Sequence, residues 1–126
     1  MEQLFNQVTE WQNKTFPNST ALSKATHLYE EVQELMIALN DLQIAGVARD
    51  KSDQEDEILN VIVYGKKFQE AQMELADCFI LLFGLAQKMG LNFQHLQAII
   101  STKHKINLLR KWGKPDANGV VKHVKN

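Results

Sequence analysis

From Cys78 to Ala86 every position is apolar or glycine, so a helix over this run has no polar side to turn towards water. Such a helix is expected to be buried all round. The run is far shorter than the roughly 20 apolar residues a bilayer span needs, so it belongs to a protein core. A chain of 126 residues has little else to wrap such a helix with, which implies that a second chain covers one face. Only two prolines and six glycines argue against a turn-dense all-β fold. The expected class is all-α.

Apolar spacing predicts four helices. The first runs from about Glu2 to Trp11, with Leu4, Phe5, Val8 and Trp11 as its apolar side. Phe16 to Thr20 breaks it, and Ser19 or Thr20 caps the second helix, Ala21 to about Leu42. The stripe of that helix is Leu28, Val32, Leu35 and Leu39, flanked by Ala25 and Met36. Gly46 and the polar run Arg49 to Glu57 read as a solvated connection. Ile58 to Tyr64 fits a turn of helix, an extended arm or an insertion packing on a partner. A third helix spans about Phe68 to Met89 and stops at Gly90, a fitting C′ residue. Asn92 caps a fourth that reaches about Lys111, and residues 113–126 form a non-helical tail. The length fits one domain, 1–126, with its core in about 2–112.

A net charge of −1 argues against general nucleic-acid binding, which calls for a basic excess. A single cysteine rules out an internal disulfide framework and a Cys-based zinc finger, which suits a reducing cytoplasm. Met1 to Glu10 carries acids at Glu2 and Glu10 and no long apolar core, so no export signal and no membrane partner are expected.

The informative residues are acids on helices that otherwise serve packing. Glu30, Glu31 and Glu34 point into one sector beside the stripe of the second helix. Glu74 and Asp77 are three apart on the third, in line with Leu81 and Leu85. Two carboxylates about 4 Å apart repel by roughly 4 kcal/mol at an effective dielectric near 20. Converging acids therefore stay ionised only around a cation. All-oxygen ligation selects Mg²⁺, with Mn²⁺ as a substitute, over zinc or copper. A di-iron site would want Glu-x-x-His on two helices, and none of His27, His95, His104 or His123 lies three residues after a Glu.

On the fourth helix Lys103, Asn107 and Arg110 share a face that begins with Leu96, Ile99 and Ile100. Cationic and amide donors of this kind suit polyphosphate. Trp11 is a candidate to stack on a base. His27 sits one turn before Glu31 in the acid sector and is a second candidate for the base. Cys78, within the apolar run, is plain core.

Glu-Glu-x-x-Glu at 30–34, Glu-Leu-Ala-Asp at 74–77 and the Lys103–Asn107–Arg110 series together resemble the MazG-like nucleoside triphosphate pyrophosphohydrolases of the all-α NTP pyrophosphatase superfamily. The resemblance runs from about Trp11 to Trp112. The segments from Glu10-Trp11 to Phe16-Pro17 and from Trp112-Gly113 to Val124 look more like a branch associated with purine deoxynucleotides. In one departure, the interval from Glu34 to Glu74 is longer than is usual in the family, with the excess at Gly46 to Lys67.

The resemblance implies a four-helix-bundle-like fold that forms a homodimer or homotetramer. It implies hydrolysis of (deoxy)nucleoside triphosphates to the monophosphate and pyrophosphate, as house-cleaning or dNTP-pool control in the cytoplasm. By the same resemblance Glu31, Glu34, Glu74 and Asp77 hold Mg²⁺, and Glu30 assists a second ion or orients the attacking water. Lys103, Asn107 and Arg110 then hold phosphates, in a site that a neighbouring chain can share. The alternative from another class is a non-catalytic helical dimerisation module, whose acidic cluster binds a structural or regulatory metal.

Overall fold

The computed structural model describes residues 1–53 and 55–125; Gln54, in the expected polar connection, and Asn126, at the end of the expected tail, lie outside the described residues. Four α-helices follow in order: α1 (Glu2–Thr15), α2 (Ala21–Lys51), α3 (Glu57–Lys88) and α4 (Phe93–Leu109). The described residues contain no strand, only an isolated antiparallel bridge between Trp112 and His123. The all-α class is as expected. No helix among the described residues is long and apolar enough to cross a membrane. The chain divides into two compact units, Met1–Gly90 and Leu91–Asn126.

In the first unit α2 and α3 pair antiparallel. The buried and half-buried positions include Lys24, Leu28, Glu31, Leu35, Ala38, Leu42, Ala45 and Arg49 on α2. On α3 they include Asn60, Tyr64, Lys67, Ala71, Glu74, Cys78, Leu81, Leu85 and Lys88. Both series step alternately by four and three, the seven-residue repeat of helices packed like a coiled coil. This repeat corrects the expected stripe of α2. Leu28 and Leu35 face inward, but Val32 and Leu39 fall on the flank and are 39% and 48% exposed.

The repeat also carries both helices through the expected connection. α2 continues past Gly46, which packs against the Tyr64 ring (a Cβ there would lie 3.5 Å from Cε2). The Arg49 guanidinium stands 3.9 Å from the centroid of the same ring. These contacts offset part of the roughly 1 kcal/mol that glycine costs a helix interior. Ile58 to Tyr64, left open by the sequence, forms the first turns of α3. Thr20 caps α2 through a reciprocal pair: its Oγ1 accepts from Ser23 N at 3.0 Å, and Ser23 Oγ accepts from Thr20 N at 2.9 Å. Gly90 ends α3 with φ +85°, where L side chains are strained.

α1 packs on α3 through Phe5, Thr9 and Gln12, with the Phe5 and Phe83 rings 5.3 Å apart. The expected apolar face is thus rotated. Phe5 is buried, but Leu4 and Trp11 are 50% and 55% exposed while two polar residues turn inward. Thr9 is satisfied by donating from Oγ1 to Phe5 O at 2.9 Å, and Gln12 by contacts described below. The run 78–86 is not buried all round either: Cys78, Leu81, Phe83, Gly84 and Ala86 are, but Phe79 and Leu82 are 50% and 42% exposed. Two helices of one chain cover only part of its circumference.

In the second unit Asn92 caps α4 by accepting from His95 N at 2.8 Å. The tail folds back on itself. Gly113 N donates to Lys122 O at 2.8 Å and Val124 N to Lys111 O at 2.7 Å, with a turn held by Asp116.

Candidate active site

The inward repeat brings acids into the α2–α3 seam at two places where apolar residues would otherwise stand. Glu31 and Glu74 occupy seam positions and Asp77 lies next to them. Each of the three offers a carboxylate oxygen, and these oxygens all lie within 4.8 Å of one another. Oε2 of Glu31 and Oε2 of Glu74 are buried without a hydrogen-bond partner. The other oxygen of Glu31 accepts from His27 Nε2 at 3.1 Å, one turn earlier on α2. Desolvation pushes the Glu74 carboxyl above its usual range, and the carboxylates of Glu34, Asp77 and Glu31 push it further. Buried orphan oxygens in an all-carboxylate set fit a hard divalent cation.

Four acids were expected to hold metal. The structure brings Glu31, Glu74 and Asp77 together, and Glu34 acts on Glu74 through its field from a neighbouring cleft that Glu34, Asp41, Glu70 and Glu74 line. Glu30 is exposed on α2 and is not among the three converging carboxylates. Cys78 lies buried beneath the acids, and desolvation raises its thiol, as expected of plain core.

Beside the cluster opens a cleft of about 300 Å³, lined by Trp11, Gln12, Phe16, Ser19, Ser23, Lys24, His27, Glu31, Asp77, Ile80 and Leu81. Both expected base-contacting residues, Trp11 and His27, line it. Trp11 meets Phe16 edge-on at 5.7 Å. The sequence reading missed Gln12 and Lys24. Gln12 Nε2 donates to Ile80 O at 2.9 Å, and its Oε1 accepts from Lys24 Nζ at 2.6 Å. The approach to Ile80 passes over Gly84, where any Cβ would collide with the Gln12 carboxamide. A glycine inside the apolar run and a lysine one repeat before Glu31 were the available signals.

In the second unit, Arg110 Nη1 donates to Asn107 Oδ1 at 3.4 Å and Trp112 Nε1 to Asn107 O at 3.1 Å. Lys103 is exposed on α4. Leu96 is half-buried, whereas Ile99 and Ile100 are exposed.

An all-helical chain with converging carboxylates beside an aromatic-walled cleft has the build expected of the MazG-like pyrophosphatases. Residues 55–126 match the dATP/dGTP pyrophosphohydrolase family, and the chain belongs to that family. The matched region holds Glu74, Asp77, Lys103, Asn107 and Arg110; Glu30, Glu31 and Glu34 precede it. No curated protein and no solved structure matches the chain.

The raised Glu74 carboxyl has a consequence for stability. Because its folded pKa lies above the unfolded value, the folded state binds more protons between the two. Ionised Glu74 therefore costs stability at neutral pH, and the cost shrinks as pH falls below the folded pKa and is gone below the unfolded one. Without metal, Glu74→Gln is expected to melt above wild type at neutral pH, with the gap closing on acidification. A divalent cation that fits the cluster should raise the wild-type melting temperature and leave the variant nearly unmoved. Melting curves at stepped pH, with and without Mg²⁺, check both; a variant melting below metal-free wild type at neutral pH would contradict the electrostatic account.

Proposed function

We propose that this chain hydrolyses purine deoxynucleoside triphosphates to the monophosphate and pyrophosphate, with Mg²⁺ as cofactor and Mn²⁺ as a substitute. The observation that supports this most is the meeting of Glu31, Glu74 and Asp77 within 4.8 Å at the edge of an aromatic-walled cleft. These three would hold the ion, with Glu34 beside Glu74. When bound, such an ion neutralises charge on phosphoryl oxygens and lowers the pKa of coordinated water.

The chain's own groups divide the remaining work. His27 fixes the orientation of Glu31 through its hydrogen bond. Trp11, with its ring half-exposed at the cleft, offers a stacking face for the base. Glu30 orients the attacking water or assists a second ion. Lys103, Asn107 and Arg110 hold phosphates. No Ser, Cys or His nucleophile is needed, because phosphoryl transfer rests on positioning and charge neutralisation. The reaction limits particular deoxynucleotides in the cytoplasm as house-cleaning or pool control. A homodimer or homotetramer would cover Phe79 and Leu82, exposed in the single chain.

A panel of common NTPs and dNTPs with Mg²⁺ tests the reaction, with products identified. Monophosphate plus pyrophosphate is expected; diphosphate plus phosphate would contradict it. Thermal shifts separate an enzyme from a metal-binding dimerisation module. Mg²⁺ with a non-hydrolysable purine nucleotide should stabilise the chain beyond Mg²⁺ alone, by about 2.7 kcal/mol at a hundredfold excess over Kd. Absence of that increment would favour the module.

A further inference from the structure

Lys24 is only 4% exposed. Its ammonium makes no ion pair among the described residues and gives one hydrogen bond, to Gln12 Oε1. Burial, and then the charge of Lys88, lowers its pKa from the usual lysine value. Gln12 is itself anchored on Ile80 O, so the ammonium has a fixed seat. An ammonium carries three N–H groups and no acceptor, which leaves two donors for whatever enters the cleft. At that end of the cleft the Phe16 ring centroid lies 6.0 Å from Lys24 Nζ and 5.7 Å from the Trp11 ring. Glu31 and Asp77 stand at the other end, and seven residues separate Lys24 from Glu31, about 10 Å along the axis of α2. A nucleotide with its phosphates by the acids therefore brings its base to Lys24. The other polar walls differ in kind. The two carboxylates accept, and His27, with Nε2–H given to Glu31, keeps Nδ1 as an acceptor. The Ser19 hydroxyl takes either role. The cleft as a whole thus suits an amino group or an oxygen at C6 of a purine, while Lys24 itself requires an acceptor.

We propose, on the basis of the function proposed above, that Lys24 is a specificity-determining residue that donates to N7 of the purine base, so that this chain takes adenine and guanine deoxynucleotides alike and ahead of pyrimidine ones. N7 is an acceptor in both purines, whereas their C6 groups differ, an amino donor in adenine and an oxygen in guanine. A contact to N7 is the one an ammonium can make equally with either. Pyrimidines lack the ring that carries N7 and present C5 on that edge, a methyl group in thymine. A pyrimidine therefore leaves the buried ammonium without its second partner, and a buried donor left unbonded is costly.

The test compares dATP and dGTP with their 7-deaza analogues, in which N7 is replaced by C–H, as substrates of the wild-type protein and of Lys24→Met, which keeps length and loses every N–H. Calorimetric titration of the four matching monophosphates accompanies it and needs no turnover. In wild type, kcat/KM of each parent should exceed that of its analogue by about tenfold or more, as for one hydrogen bond to a charged group, and dCTP and dTTP should fall at least as far. Lys24→Met should bring both parent-to-analogue ratios close to one, chiefly through KM of the parents. Wild type that cleaves the analogues, dCTP or dTTP as well as it cleaves dATP and dGTP overturns the assignment of Lys24 and leaves pyrophosphohydrolysis standing. So does a variant in which parent and analogue fall by the same factor, the result of a phosphate contact or a structural role. No cleavage of any triphosphate, with the purine monophosphates still bound more tightly than their analogues in wild type alone, overturns the hydrolase and supports Lys24. Neither cleavage nor binding overturns both. Should Lys24→Met fail to fold, Lys24→Gln, which keeps an N–H for Gln12 and ends one atom short, takes its place with the same expectation.

Discussion

Asp77→Asn is expected to abolish pyrophosphate release while leaving helical circular dichroism unchanged. The substitution conserves shape and removes one charge from the three carboxylates that meet within 4.8 Å. A carboxamide offers a neutral oxygen, so the set loses the charge that makes it attractive to a divalent cation. Losing a metal's outer-shell partner costs roughly 10- to 100-fold in affinity or activity, and loss of the ligand proposed at Asp77 should exceed that. Asp77 is exposed, so its replacement leaves no buried polar group stranded and the fold should persist. Glu34→Gln should act in the same direction, through the field that Glu34 exerts on Glu74. Steady-state pyrophosphate release from purified variants decides the matter; wild-type rates in either would refute that acid's assignment.

The largest effect on stability is expected from Gly84→Ala. At an open helical position this exchange gains up to about 1 kcal/mol. Here the new Cβ would overlap the Gln12 carboxamide. Gln12 is 2% exposed and is bonded at both ends, so it cannot swing aside without cost. Displacing it strands the Lys24 ammonium, and a hydrogen bond to a charged group contributes about 1.5–3 kcal/mol. The net is a destabilisation of about 1–2 kcal/mol, several degrees in Tm. Thermal melting measures it, and a variant more stable than wild type would show that Gln12 does not lock α1 to α3.

Features specified by local chemistry were legible in the sequence. Thr20 and Asn92 cap, and Gly90 terminates, for reasons contained within a few residues. Glu31, Glu74 and Asp77 stood out because acids on packing faces are costly without a cation. Features decided by long-range pairing were not legible. Gly46 and the β-branched stretch 58–64 gave no local preference for helix; the partner helix supplied it through Tyr64 and Arg49. Gln12 and Lys24 carried no local signal, because Lys24 is satisfied by Gln12 from another helix and Gln12 by Lys24 and a carbonyl on a third. The exposed Phe79 and Leu82 show the limit of judging burial from apolarity in one chain.

The alternation of fours and threes along α2 and α3 has a further consequence for how such a protein can vary. The acids occupy only one stretch of the seam, between Lys24 near one end and the Arg49–Tyr64 stack near the other. Adding or removing seven residues in each arm beyond Glu34 and before Glu74 preserves the phase of every inward position, whereas a change of one residue rotates all that follows by about 100°. The reach of this hairpin can therefore drift in matched steps while the chemistry at its base stays in register. The long interval between Glu34 and Glu74 is then an adjustable spacer, open to selection for whatever it touches.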